Sequence, residues 1–557
     1  MRAFHDLTMN VDAKPFMVGA ELVTTRGSLN QPAGAKLVQL ADALAASGKV
    51  DWVSVTDNAG GNPMESPTVL AKRLMERGLD TIVHLTCKDR NRNALEATAW
   101  QLHSEGLTNV LCLTGDYPAS GQGYFGTAAP VFDLDSPTLC RMLHDMNGGL
   151  RIAGRKPGTW VDLEKTSFFI GCAVSPFKAN EAELMCQYLK LALKVANGAQ
   201  FIIPQLGYDM RKSAELVGYL RAHQMAVPVF GNIYLLSKVV ARLFNQQQIP
   251  GCQVSDALYA KIEAAAGGPD KGKAFFKELA AKQYACFKGL GYRGAYFGGF
   301  SKLESVLEVI ELAESFGADD WKGFAADVVW PMGRDFYLYA RDEATGLANP
   351  AVMSPELAAA QSEGTLDEDE VGLFYKLNAF MHHTIFDPKG VLYRPMKRAY
   401  KFLGSGHPAL FAVAERTEKT VKKALFDCQD CGDCSLADCY FMCPGAACRK
   451  NQRNGPCGGS RGPLCESADV PCIWYRSYQR AKADGQLESF LKRPLILRDQ
   501  ELRGTSGWAN YFLEKDHVAK LAAAATAAEE AAKAPVPAVE GAKPAEGAKP
   551  EAGGGKG

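Results

Sequence analysis

The sequence predicts an α/β protein, a (β/α)8 TIM barrel followed by a helical, cysteine-rich metal-binding module and a disordered tail. Three observations predict it. Between Met17 and about Phe300, eight short apolar, β-branched segments alternate with longer helical patterns. The polar residues of that region gather at the ends of those segments. Nine of the 16 cysteines fall between Cys428 and Cys472.

The strand candidates are residues 17–22, 52–56, 81–85, 110–114, 168–173, 201–205, 227–233 and 293–297. Between them, helical patterns such as KLVQLADALAASG and EAELMCQYLKLALKVANG end at glycines suited to a helix C-cap. Eight β-then-α units in fewer than about 300 residues match the size of a TIM barrel. A doubly wound open sheet would carry a GxGxxG fingerprint after an early strand, and none stands there. The expected units are the barrel at 1–315, a helical connecting region at 316–420 and the cysteine-rich module at 421–490. A helical extension at 491–516 and a disordered tail at 517–557, rich in Ala, Pro, Lys and Glu, complete the chain.

Across 557 residues, 62 basic side chains balance 62 acidic ones, which is not the footprint of a nucleic-acid binder. No run approaches the roughly 18 apolar residues of a membrane span, and the N-terminus, with His5, Asp6, Asp12 and Lys14, lacks a signal-peptide core. A cytoplasmic location follows as the expectation. In a reducing compartment the dense cysteines read as metal ligands before disulfides.

Catalytic residues of a TIM barrel sit at the C-terminal ends of its strands. Reading those ends in order gives Glu21, Thr56 and Asp57, His84 and Thr86, Thr114, Gly115 and Asp116, Ser175 and Lys178, Gln205, and Tyr234. Any one of these alone is as easily a cap or a solvated charge; their common placement makes them a candidate site. The candidate metal ligands are Cys428, Cys431, Cys434, Cys439, Cys443, Cys448, Cys457, Cys465 and Cys472. CxxCxxC spacing with a Cys-Pro at Cys443 looks like a loop around a 4Fe-4S cluster. Zinc is the alternative, but one four-cysteine zinc site leaves five of the nine unexplained. Cys112, Cys172 and Cys286 lie in apolar runs and read as core.

The segments VGAELVTTRG, DWVSVTDNAGG, HLTCKDRN, LTGDYP, KVANGAQFIIPQLGYD and PVFGNIYLLS stand in order over roughly residues 10–310. In them the chain resembles the methylenetetrahydrofolate reductase family. The resemblance implies a flavin at the barrel mouth, FAD or alternatively FMN, reduced by NAD(P)H and passing hydride to a folate substrate. It implies Glu21 as the general acid that protonates the departing folate nitrogen. Asp116 lies by flavin and folate, where its charge steadies a cationic iminium, and Gln205 hydrogen-bonds the pterin. Thr56, His84, Thr86, Thr114, Gly115, Asp116 and Lys194 fall where the family contacts its flavin.

Two departures bear on the cofactor. The family's Leu-Arg-Gly-Asp reads LTGD, and its Tyr-Pro-Glu-x-His-Pro segment, which faces the dinucleotide end of FAD, reads SPFKANEAE from Ser175. Residues 370–475 are similar to a module found with reductases of anaerobic bacteria, implying exchange of electrons with a partner protein. An oligomer is expected. Two other classes compete: a pterin-dependent methyltransferase with a zinc site, which lacks a DxHxxG cobalamin signature here, and a non-catalytic electron-transfer subunit.

Overall fold

The computed structural model describes residues 3–333, 335–355, 357 and 371–533. The eight apolar segments form eight strands: β1 Met17–Leu22, β2 Trp52–Val55, β3 Asp80–Thr86, β4 Asn109–Leu113, β5 Phe169–Val174, β6 Phe201–Pro204, β7 Phe230–Tyr234 and β8 Gly294–Gly298. All pair in parallel, in the order β6-β5-β4-β3-β2-β1-β8-β7. A parallel bridge between Ile202 and Val229, with Ile202 N–H donating to Pro228 O at 2.9 Å, closes β6 onto β7. The sheet is thus a barrel, and its strands are apolar on both faces because helices cover the outside.

The first residues of the strands plug one end. Trp52, Phe169, Phe201 and Phe230 surround Phe4 of the helix Phe4–Met9, at ring separations of 5.1, 5.7, 5.3 and 5.5 Å. Gly19 makes room for this filling, since a Cβ there would lie 2.2 Å from the Trp52 indole. With the N-terminal end filled by aromatic rings, the polar residues are left at the other end.

The connecting region departs from the helical expectation at 316–420. After the helix Asp320–Asp327 comes a strap: a hairpin of Tyr339–Arg341 and Ala348–Met353 lies on the barrel helix Met210–Ala222. Glu215 accepts from Leu338 N at 2.5 Å and Tyr339 N at 3.2 Å, and Asp209 accepts from Tyr337 OH at 2.6 Å. Helices follow at Leu373–Met381, Tyr393–Gly404 and Pro408–Phe426. A second hairpin, Arg151–Ala153 with Trp160–Asp162, precedes β5 and was not foreseen.

The stretch 491–516 holds only short helical pieces, Gln500–Leu502 and Gly507–Phe512. Residues 517–533, grouped above with the disordered tail, form a helix, while 534–557 lie outside the described residues. The helix is anchored at His517, whose Nδ1 meets Asp433 at 2.5 Å and whose Nε2 meets Asp438 at 3.1 Å. No described helix is long and apolar enough to cross a membrane.

Candidate active site at the barrel mouth

The C-terminal strand ends open on a cavity of about 330 Å³, lined among others by Glu21, Thr56, His84, Thr86, Thr114, Gly115, Asp116, Lys194 and Gln205. Asp57 and Ser175 line it too, so of the strand-end residues named above only Lys178 and Tyr234 stand outside the cavity wall. Glu21 accepts from Tyr296 OH at 2.8 Å, and that hydroxyl also meets Ser54 Oγ at 2.5 Å. Desolvation raises the Glu21 pKa, opposed by the Tyr296 hydrogen bond. Asp116 accepts from Gly60 N at 2.8 Å across the rim.

Gly115 has φ +87°, and a Cβ there would press on Lys88 Cδ at 2.9 Å and Thr86 Cβ at 3.0 Å. Thr86 lines the cavity, but its hydroxyl and N–H both donate to Asp57, at 2.8 and 3.1 Å, beside an Arg90–Asp57 ion pair of 2.6 Å. Burial depresses the His84 pKa to about 4, against the pull of Asp57, so the ring is neutral near pH 7. His84 Nε2, Thr56 Oγ1 and Ser175 Oγ are buried with no hydrogen-bond partner. Unpaired buried polar atoms are costly, so three at one cavity fit a polar ligand such as a flavin.

The helix Glu181–Ala196, N-capped by Asn180 accepting from Glu183 N at 2.9 Å, carries Gln187, Lys190 and Lys194 on the face toward the cavity. Lys194 donates to Ala173 O at 2.5 Å. Lys190 donates to Gln452 Oε1 at 2.7 Å and Pro456 O at 2.8 Å, and burial lowers its pKa to about 8. Gln187 and Lys190 were missed by the strand-end reading, although their i, i+3 spacing, with Lys194 at i+7, in an apolar helix was a visible signal.

The other unforeseen part is a roof. Lys450, Pro456, Cys457, Gly458, Gly459 and Glu466 of the cysteine-rich module line the same cavity. Lys178 Nζ donates to Gly458 O and Ser460 O, each at 2.7 Å, and Gln187 Nε2 to Cys457 O at 2.9 Å. Lys450, buried and ion-paired with Glu466, donates to Gly115 O at 2.8 Å. Asp135, the N-cap of helix Ser136–Gly148, also accepts from Asn454 N and Nδ2, each at 3.0 Å. Barrel and module share one polar seam.

Eight of the nine cysteines fall into two sets of four. Cys428, Cys431, Cys434 and Cys443 line one cleft. Cys448, Cys457, Cys465 and Cys472 face one another in a second group, of which Cys457 reaches the active-site cavity. The ninth departs from the expectation of a ligand: Cys439 is buried in an apolar cluster with Ile473, Trp474, Tyr478 and Phe490, and its charged neighbours are Arg493, Asp438 and Arg453. Backbone N–H groups point at sulfur in both sets, from Asp430 to Cys428 at 3.4 Å and from Gln452 to Cys448 at 3.5 Å.

Among the described residues, the one group of three or more His, Cys, Asp or Glu ligand atoms mutually within 4.8 Å is Asp433, Asp516 and His517. Tetrahedral zinc, with Zn–S bonds of about 2.3 Å, would draw its sulfurs to about 3.8 Å apart. Among the described residues no three of the thiols lie mutually within 4.8 Å, and N–H groups are aimed at sulfur in both sets. The seven barrel cysteines are all buried, and burial pushes the thiols of Cys172 and Cys286 up to about 12, consistent with core packing.

A closed barrel with a recessed carboxyl, neutral imidazole and buried lysines at its strand ends is a small-molecule-binding α/β barrel, here roofed by a second module. A family model described as methylenetetrahydrofolate reductase matches residues 9–311, more than half of the chain, and the chain belongs to that family. A second model, methylene-tetrahydrofolate reductase C terminal, matches residues 408–501.

Among curated relatives, methylenetetrahydrofolate reductase 1 of Schizosaccharomyces pombe is 28% identical over 194 residues, 34% of this chain and 29% of that protein. Methylenetetrahydrofolate reductase 2 of Saccharomyces cerevisiae is 26% identical over 203 residues, 35% and 30% of the two chains. The probable methylenetetrahydrofolate reductase (NADH) of Oryza sativa is 28% identical over 200 residues, 35% and 32%. The chain thus spans about a third of the length of the curated relatives it matches. A solved structure described as an uncharacterized Clostridium thermocellum protein that binds two copies of 5-methyl-5,6,7,8-tetrahydrofolic acid aligns with 54% of this chain and 93% of that one, at 12% identity and TM-score 0.36.

Proposed function

We propose that the protein reduces 5,10-methylenetetrahydrofolate to 5-methyltetrahydrofolate at a flavin held in the barrel mouth. The observation that carries this reading is the convergence of Glu21, Asp116 and Gln205 on one cavity whose wall also holds unpartnered Thr56, His84 and Ser175. A flavin bound there supplies hydride chemistry. Glu21, whose pKa desolvation raises, gives its proton to the folate nitrogen that departs as the five-membered ring opens. The Asp116 carboxylate stabilises the cationic iminium that ring opening leaves on the substrate. Gln205 offers donor and acceptor together to the pterin edge.

Lys194 and Lys190, both on the cavity wall, would hold the flavin phosphate. Thr114 and Gly115 would line the flavin, and Thr86 is a cavity wall rather than a free hydroxyl donor, since its hydroxyl donates to Asp57. FMN is the better fit than FAD. Lys178, in the segment that faces the dinucleotide end in the family, is here taken up by the roof, buried under Gly458 and Ser460.

The two cysteine sets would hold 4Fe-4S clusters, whose chemistry is one-electron transfer, and the module's part is to relay electrons. The shared cavity wall at Cys457 favours electron entry from the module over a nicotinamide laid on the flavin face. Protein purified without air is expected to contain FMN, and about eight iron and about eight sulfide per chain for two clusters. Glu21→Gln is expected to retain flavin and lose folate reduction by at least about a hundredfold. Full turnover by that variant would refute Glu21 as the acid, and zinc without flavin would refute the whole reading.

A further inference from the structure

The chain is neutral overall, yet residues 389–426 hold nine Lys or Arg against two Glu. They form most of the helices Tyr393–Gly404 and Pro408–Phe426, which pack on one another. Arg394, Arg398, Lys401 and Arg416 are exposed and make no ion pair among the described residues. Large apolar side chains stand among these charges: Phe402, Leu410 and Val413, the last 64% exposed. The adjoining helix Leu373–Met381 adds Leu377 and Phe380, and is held there by Phe374 against Phe426 at 5.6 Å. A groove along Pro408–Phe426, lined by Glu415, Arg416, Lys419 and Lys423, with Lys419 paired to Glu415 and Asp430 and Lys423 to Asp427, runs into the cleft of Cys428, Cys431, Cys434 and Cys443. Lys419 lines both.

From this we infer that the basic, apolar-studded face is the docking surface for a small acidic protein carrying a one-electron redox centre near its own surface. The inference rests on the reduction proposed above and says where its electrons enter. Charge selects the occupant. A positive field concentrates an acidic partner and speeds its encounter, whereas a second copy of this chain would set like charge against like. Exposed apolar groups ringed by charge supply the contact that charge alone does not.

The electrons balance. Converting the methylene to a methyl group takes two electrons and two protons. Two reduced partner molecules each give one electron and leave oxidised, while solvent supplies the protons.

The test uses the full chain with its cofactors, mixed anaerobically with a reduced acidic ferredoxin or with reduced methyl viologen, a small cation that needs no docking. For Arg416→Glu/Lys423→Glu the ferredoxin rate constant should fall at least about tenfold and lose its salt dependence, with the viologen rate unchanged. Arg394→Glu/Arg398→Glu, farther from the cysteines, should act in the same direction, and unchanged iron content shows that neither variant misfolds the module. An unchanged ferredoxin rate in both variants overturns the inference, as does a wild type that viologen reduces and ferredoxin does not. Self-association of the wild type that the variants abolish would assign the face to a second copy and overturn it too. Failure of the viologen-reduced protein to form 5-methyltetrahydrofolate counts against the reaction itself and is read separately from the docking rates.

Discussion

At the scale of single residues, Glu21 and His84 line one cavity and are pushed by the same desolvation in ways that both favour the neutral form. Glu21 has a folded pKa above its unfolded value, so its contribution to stability is present below the unfolded pKa and lost as pH rises through the folded one. As the proposed acid it must be protonated, so folate reduction should decline on the alkaline side along the same titration. Glu21→Gln should remove the stability loss, giving a higher melting temperature than wild type near pH 8, measured by calorimetry. His84 has the opposite limb. Its folded pKa of about 4 lies below the unfolded value of 6.5, so stability falls as pH drops from about 6.5 through 4, by on the order of 3 kcal/mol. A His84→Asn variant, which carries no such titration, should show a flatter melting temperature over that window. A wild-type profile as flat as the variant's would contradict the burial of a neutral ring.

Among elements, the roof loop matters most to the pocket. Lys178 anchors it through Gly458 and Ser460 without being a wall of the cavity itself. Lys178→Met removes charge-assisted hydrogen bonds worth on the order of 3 kcal/mol and leaves buried carbonyls unpaired. The flavin dissociation constant should rise at least about tenfold, and protease cleavage between Asn454 and Arg461 should quicken; unchanged values for both would show that the roof is not held by this residue. The helix from His517 is tied in a comparable way. His517→Ala strips the partner from buried Asp433 and should lower the melting temperature of the module while leaving barrel folding intact, read as a split calorimetric transition.

The strands were legible because each is a short apolar run bounded by turn residues, and the strand-end rule then found Glu21, Asp116 and Gln205. The roof was not, because Lys190 and Gln452 meet across 262 residues of sequence and neither lies in a strand end. Cysteine spacing likewise could not tell Cys439, packed among aromatic rings, from the eight that face one another. The hairpin at Arg151–Ala153 escaped because its residues are exposed and carry no buried alternation.

At the scale of the whole molecule, the barrel and the module form a single site. The barrel supplies the strand-end carboxyls, and the module supplies the cover, through Lys450 and Glu466 and through the main chain from Pro456 to Gly459. Two cysteine sets then lie in sequence, one at the cavity wall and one beside the basic helices, and in the proposed function chemistry and electron supply share one chain. The most direct test mixes the anaerobically reduced full chain with 5,10-methylenetetrahydrofolate while following the flavin absorbance and the folate product together. Reoxidation of the flavin with one 5-methyltetrahydrofolate formed for every two electrons that the flavin and clusters give up is the predicted result; a flavin that stays reduced with the folate unchanged would contradict the account.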